Sequence, residues 1–382
     1  MKLNSLEIIC IDYLIANIKT VDFSKLENNS VLKDKILHRL LTIRDPTEAL
    51  LGYIERLISR DTRSLDLSNL PLAFSNSKFR FLDQCKSLQT LTLTRSPSLT
   101  SQKVLSFVSL VGGNLKRLVL SQCLKINDSV FHYISYYCPQ LEVLEMEDCI
   151  SINGGIFQRA TSTLPSVVVS ETPSPSLMMK RMDNLLSLNL NGCRSIPSRN
   201  IYNLTSAFPN LKGFSFNKTF LSDEDSQLLI ETLPPSIESL DLSYNPISRL
   251  ALHQIALQNN RRFKLKSLCL GYCRCITAVD LTNLLLSLHN TLEHLSIPGC
   301  FQIDSSIFEN LVTPQQQQQT KNNNNNVYLS KSSDIALRTL DISFCTQFTN
   351  QKLSKFKSIG CKDQVEILRH NNNLSFQHCI YK

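Results

Sequence analysis

One pattern is stated twice in residues 115–152, LKRLVLSQCLKINDSVFHYISYYCPQLEVLEMEDCISI, with the two copies about 26 residues apart. Leu115, Leu118 and Leu120 stand in an L-x-x-L-x-L spacing followed by Cys123 and Ile126; Leu141, Leu144, Met146, Cys149 and Ile152 repeat it. A strand with side chains at period two buries Leu118 and Leu120 on one face, and residues 128–137 read as a short helix whose Val130, Phe131 and Ile134 cover that face. A unit of this size cannot close a core alone, so copies must stack, and the pattern predicts a solenoid.

The middle apolar residue recurs at Leu65, Leu91, Leu118, Leu144, Leu188, Phe214, Leu240, Leu268, Leu295 and Leu340, in steps of 26, 27, 26, 44, 26, 26, 28, 27 and 45. About ten repeats are expected, each with a parallel strand on the concave face of a right-handed α/β solenoid spanning residues 61–370. The two long steps place inserts near 161–179, with three prolines, and near 313–333, with runs of Gln and Asn. Neither has the apolar content to order itself, so both read as loops. After Leu340, Val365 and Leu368 suit a degenerate further copy, and residues 371–382 form a polar tail.

Residues 1–60 do not follow the repeat. Leu6, Cys10, Leu14 and Ile18 recur every four residues; Leu32, Ile36, Leu37, Leu40 and Leu41 form a second helical set, and Leu50, Leu51, Ile54, Leu57 and Ile58 a third. Three amphipathic helices are predicted, the last starting at an Asp45-Pro46 turn. Such a module caps the first repeat or binds an adaptor.

Composition narrows the function. No apolar run reaches the length of a membrane helix, and the start lacks a secretory signal, so a cytoplasmic or nuclear protein without a membrane partner is expected. Six of the 13 cysteines (Cys123, Cys149, Cys193, Cys273, Cys300, Cys345) fall five residues after a middle residue, a place set by the repeat and not by disulfide or metal geometry. The formal charge of +8 is mild, and the run Arg261, Arg262, Lys264, Lys266 reads as a solvated loop, not a nucleic-acid footprint. The seven histidines are dispersed, no Ser or Cys stands in a motif with an activating base, and the Gly pairs lack a phosphate-loop context. No catalytic, metal or cofactor residue is predicted, and the chain reads as a non-enzyme.

With Cys123, Ile126, Asp128, Cys138 and Pro139 in hand, C-x-x-I-x-D, a helix and then C-P-x-L-x-x-L resembles the cysteine-containing class of leucine-rich repeats, best known from F-box substrate receptors of ubiquitin ligases. Ser96, Thr219 and Asn245 replace the cysteine; each can still bond to the backbone of the turn that leaves the strand. Ser5, Leu6, Cys10 and Leu14 resemble the elongin-C-binding box of cullin-based ligase receptors, with Leu6 as the inserted knob. The Leu-Pro pair usual downstream of that box, or near the start of an F-box, is absent from residues 31–41. The resemblance implies a substrate receptor with an elongin C or Skp1-type adaptor; the other reading is an interaction scaffold without a ligase.

Cargo is expected on the concave face. Residues flanking the buried leucines point outward, giving Asp66, Glu145, Glu147, Asp148, Asp241 and Asp341 against Arg95, Arg117 and Lys218. That face is acidic although the chain is basic, so a basic protein segment is the expected cargo. Tyr244, Tyr272 and Phe344 occupy equivalent places in their repeats and read as exposed anchors.

Overall fold

Every middle residue of the repeat is the centre of a three-residue strand, with its two neighbours turned away from the core. The computed structural model describes residues 3–26, 29–43, 48–68, 81–159, 179–201, 203–307, 336–348 and 366–368. The chain divides into two compact units, Met1–Ser195 and Ile196–Lys382.

In the first unit, strands β1 (Ser64–Asp66), β2 (Thr90–Thr92), β3 (Arg117–Val119), β4 (Val143–Glu145) and β5 (Ser187–Asn189) pair in parallel. Leu65, Leu91, Leu118, Leu144 and Leu188 stand opposite one another and are buried. The second unit repeats this with β6 (Gly213–Ser215), β7 (Ser239–Asp241), β8 (Ser267–Cys269), β9 (His294–Ser296), β10 (Thr339–Asp341) and β11 (Glu366–Leu368). There Phe214, Leu240, Leu268, Leu295 and Leu340 form the buried column. The terminal copy differs from expectation: Ile367 stands opposite Leu340, and Leu368 faces Asp341 and is exposed. The Val365–Leu368 spacing is therefore one residue out of phase, and a one-residue slip reverses the faces of a strand. Val365, the Asp45-Pro46 turn, the 313–333 insert and the 371–382 tail lie outside the described residues, as does the 161–179 insert apart from Met179, which is buried.

Three helices precede β1, and the others return the chain between strands. α1 (Leu3–Ala16), α2 (Ser30–Leu41), α3 (Glu48–Leu57), α4 (Ser101–Val111) and α5 (Ser129–Tyr137) belong to the first unit. α6 (Ser198–Ile201), α7 (Leu204–Ala207), α8 (Asp223–Thr232), α9 (Arg249–Arg261) and α10 (Ala278–Leu288) belong to the second. Short polar residues start them: Ser222 caps α8 through the Asp225 N–H at 3.1 Å, and Thr277 with Asp280 forms a capping box on α10. Val130, Phe131 and Ile134 of α5 are buried as predicted. The basic run at 261–266 serves the fold: Arg262 donates to the carbonyls of Glu231 and Leu233, closing the C-terminal end of α8, and Lys266 pairs with Glu238 at 2.8 Å.

Where the residue five places after a strand centre is Cys or Asn245 it ties one repeat to the one before it, whereas Ser96 and Thr219 in that place donate to the carbonyls of Thr94 and Phe216 in their own repeats. Thiols of Cys123, Cys149 and Cys193 donate to the carbonyls of Leu93, Leu120 and Met146, each at 3.1 Å. In the second unit Cys300 and Cys345 reach Leu270 and Ile297 at 3.1 Å, and Cys273 reaches Leu242 at a looser 3.6 Å. Asn245 takes the same place and donates to the Phe216 carbonyl at 2.9 Å. A sheet of short parallel strands, helical returns and this bonded spine make each unit an α/β leucine-rich-repeat solenoid.

These thiols are inert while folded. Burial pushes Cys85 up to about 11 and Cys138, Cys193 and Cys300 up to about 12, whereas Cys10 and Cys275 are exposed. Because the folded values lie above the ordinary 9.0, the folded state holds more protons in alkali. Stability is thus expected intact below pH about 9 and lost as pH rises towards about 12. Iodoacetamide at pH 8, followed by peptide mapping, should modify Cys10 and Cys275 while the spine cysteines react only in denaturant; early modification of Cys149 or Cys300 would contradict this packing.

Candidate functional site

The turns that leave strands β2 to β10 share one conformation. Four residues after the strand centre, Arg95, Gln122, Asp148 and Gly192 in the first unit, and Lys218, Tyr244, Tyr272, Gly299 and Phe344 in the second, all have φ between 54° and 68°. For a residue other than Gly this left-handed backbone costs roughly 1 to 2 kcal/mol. Two bonds hold it. The N–H of this residue donates to the carbonyl one repeat further on, as from Tyr244 to Gly271 at 2.8 Å and from Tyr272 to Pro298 at 2.7 Å. One residue later comes the bonded spine, which fixes the chain's direction.

The strand face and this edge hold the predicted cargo residues, but most of them are already engaged. Asp241, buried, accepts from Ser215 Oγ at 3.1 Å, Asn217 Nδ2 at 2.9 Å and the Ser243 N–H at 2.9 Å. Asp341 accepts from Ser296 Oγ at 3.1 Å and the Ser343 N–H at 2.9 Å, and Asp66 serves Ser68 in the same way. An Asp one place after the strand centre therefore caps the turn that follows. Glu145 pairs with Arg117 across neighbouring strands. Glu147 is half-buried, and the Asp148 carboxylate occupies the space that a Cβ on Gly192 would need.

Tyr244 and Tyr272 stack face to face, centroids 4.5 Å apart with 14° between the rings. Tyr272 continues over Gly299, where a Cβ would lie 2.5 Å from its Cε1. Lys218 Nζ sits 4.9 Å from the Tyr244 centroid. The column Lys218, Tyr244, Tyr272, Gly299 is thus one continuous stack, and both tyrosines are half-buried, not exposed singly. Burial first, then the neighbouring Tyr272, pushes the Tyr244 hydroxyl up to about 12; burial raises Tyr272 as well. Phe344 keeps the same backbone and is half-buried. At the opposite edge of the sheet the charges neutralise one another, through Lys116–Glu142 (3.1 Å), Lys266–Glu238 (2.8 Å) and Arg338–Glu293 (3.3 Å).

No protein-family model and no curated protein matches the chain. Among solved structures it is similar to a chain of the Rad7 and Elc1 complex in yeast, 14% identical over 96% of this chain and 98% of that one, with a TM-score of 0.48. It is also similar to the leucine-rich repeat-containing protein LegL7 from Legionella pneumophila (18% identical, 86% and 89% covered, TM-score 0.49). A third is the internalin InlF from Listeria monocytogenes (15% identical, 88% and 89% covered, TM-score 0.42). Likenesses of this size say nothing of what the chain binds.

The predicted adaptor box lies in α1. Ser5 and Leu6 are within the helix, their side chains outside the described residues; Cys10 is exposed and Leu14 half-buried. Asp12 anchors α1 to α2 through Arg39 Nε at 2.7 Å and Nη2 at 3.2 Å, and Ile11 is buried. Ile8, Ile9 and Tyr13 are 53%, 55% and 69% exposed, so α1 keeps an apolar surface that nothing described covers. Among the described residues no helix is long and apolar enough to cross a membrane.

Proposed function

We propose that this chain is a protein-binding subunit of a cullin-based ubiquitin ligase, holding cargo on its strand face and an elongin C-type adaptor on α1. The uncovered side of α1 supports this reading. A helix with Ile8, Ile9, Ile11, Leu14 and Ile15 is apolar on every side, and such a helix is ordinarily enclosed. Here Ile11 is packed, with Ile8 exposed beside it, while Ile9, Cys10 and Tyr13 stay open. By helical spacing Cys10 and Tyr13 lie on the side of the Leu6, Cys10, Leu14 box with Ile9 at its flank, and anchors three or four residues apart are how a helix enters a partner's groove. The small Cys10 limits the bulk of that ridge.

The test is capture from the protein's own cells. Tagged wild-type chain should bring down an elongin C-type adaptor, and Leu6→Ala with Cys10→Ala should reduce the yield by roughly tenfold or more while circular dichroism is unchanged. Wild-type protein that carries no adaptor would overturn the reading.

A further inference from the structure

Lys218 points to what the second unit binds. Among the described residues its ammonium pairs with no carboxylate and rests instead on the Tyr244 ring, although Asp241 is close enough to bear on the Tyr244 hydroxyl. Asp241 and Asp341, for their part, have hydrogen-bond donors but no Lys or Arg partner among the described residues. Strands β6 to β10 otherwise present small or neutral side chains, such as Ser215, Ser239 and Ser267. The floor is low and negative, and its rim is a stacked pair of rings on which, among the described residues, the one cation is the chain's own Lys218.

We propose that the edge formed by Tyr244 and Tyr272 is a receptor for an arginine side chain of a basic protein segment, and that Lys218 is a placeholder which the incoming guanidinium displaces. Three properties favour arginine. A planar guanidinium stacks on an aromatic face better than an ammonium does and is less strongly hydrated, so it displaces lysine from the ring. The two carboxylates beside the rim complement its charge. The stack is preorganised, because Gly299 leaves room for Tyr272 and Tyr272 in turn backs Tyr244, so no ring has to be ordered on binding. The assignment rests on the reading of this chain as protein-binding, yet it does not involve α1.

The test uses the full chain carrying 3-fluorotyrosine, with fluorine resonances of Tyr244 and Tyr272 assigned by Tyr→Phe variants. Three hexapeptides of glycine and serine, bearing a single arginine, lysine or glutamate, are titrated in. The arginine peptide should shift both resonances saturably, the lysine peptide more weakly and the glutamate peptide not at all. Lys218→Met should tighten the arginine peptide by about threefold or more, since removing an internal competitor raises the competent fraction. Tyr244→Ala should abolish binding, and Tyr244→Phe, which keeps the ring, should stay within about twofold of wild type. A lysine peptide that binds as tightly, an arginine peptide without saturable shifts, or an unchanged affinity in Lys218→Met would each overturn the proposal. No adaptor is present, so a failure here leaves α1 docking untouched, and lost adaptor capture leaves this site untouched.

Discussion

Phe131→Ala is expected to destabilise the protein by about 3 to 5 kcal/mol, enough to remove much of a typical domain's stability. Phe131 is fully buried in α5 and meets Phe157 edge to face at 5.0 Å, so it joins one repeat's return to the next. Truncation leaves a ring-sized cavity between elements that the bonded spine keeps from closing. Phe131→Leu retains most of the volume and should cost clearly less. Urea unfolding followed by circular dichroism reads both; an alanine variant within about 1 kcal/mol of wild type would mean that the returns do not carry the core.

Asn245→Ala should cost roughly 2 to 5 kcal/mol although the side chain is small, because several buried groups lose their partner together. Its Oδ1 accepts from the Thr219 N–H, the Thr219 hydroxyl and the Leu221 N–H, each at 3.2 Å. Its Nδ2 donates to the carbonyls of Phe216 at 2.9 Å and Leu242 at 3.1 Å. Asn245→Cys should rescue only part of the loss: a thiol can reach the Phe216 carbonyl, as Cys300 reaches Leu270 at 3.1 Å, but it is a poor acceptor for two N–H groups. In the same urea series the expected order is wild type, cysteine variant, alanine variant. A cysteine variant as stable as wild type would show that the Thr219 turn does not depend on Oδ1.

The order of the strands was legible because period two within a strand and about 26 residues between strands are independent signals, and both selected Leu118, Leu144 and their counterparts. Cys123 and Asn245 could be equated in advance since either side chain bonds to the backbone of the same turn. The terminal copy lies one residue from the phase that its spacing suggests, because Val365 and Leu368 satisfy the pattern in a short run that has two phases. The left-handed turn left little trace: its residues range from Arg95 and Gln122 to Tyr244 and Phe344, and only Gly192 and Gly299 carry the usual mark. The spacing reads Tyr244 and Tyr272 as exposed anchors, whereas they are half-buried and stack along a shared backbone conformation that the sequence does not mark. Asp66, Asp241 and Asp341 read as surface charge, yet each also caps a turn, a role that sequence cannot separate from solvation.

Hydrogen exchange on the purified full chain, with and without an elongin C-type adaptor, tests the central claim most directly. The account predicts slowed exchange of the amides of α1 (Leu3–Ala16) on adding the adaptor, with the strands β1 to β10 unchanged. Unchanged exchange throughout α1, with adaptor present at saturating concentration, would contradict it.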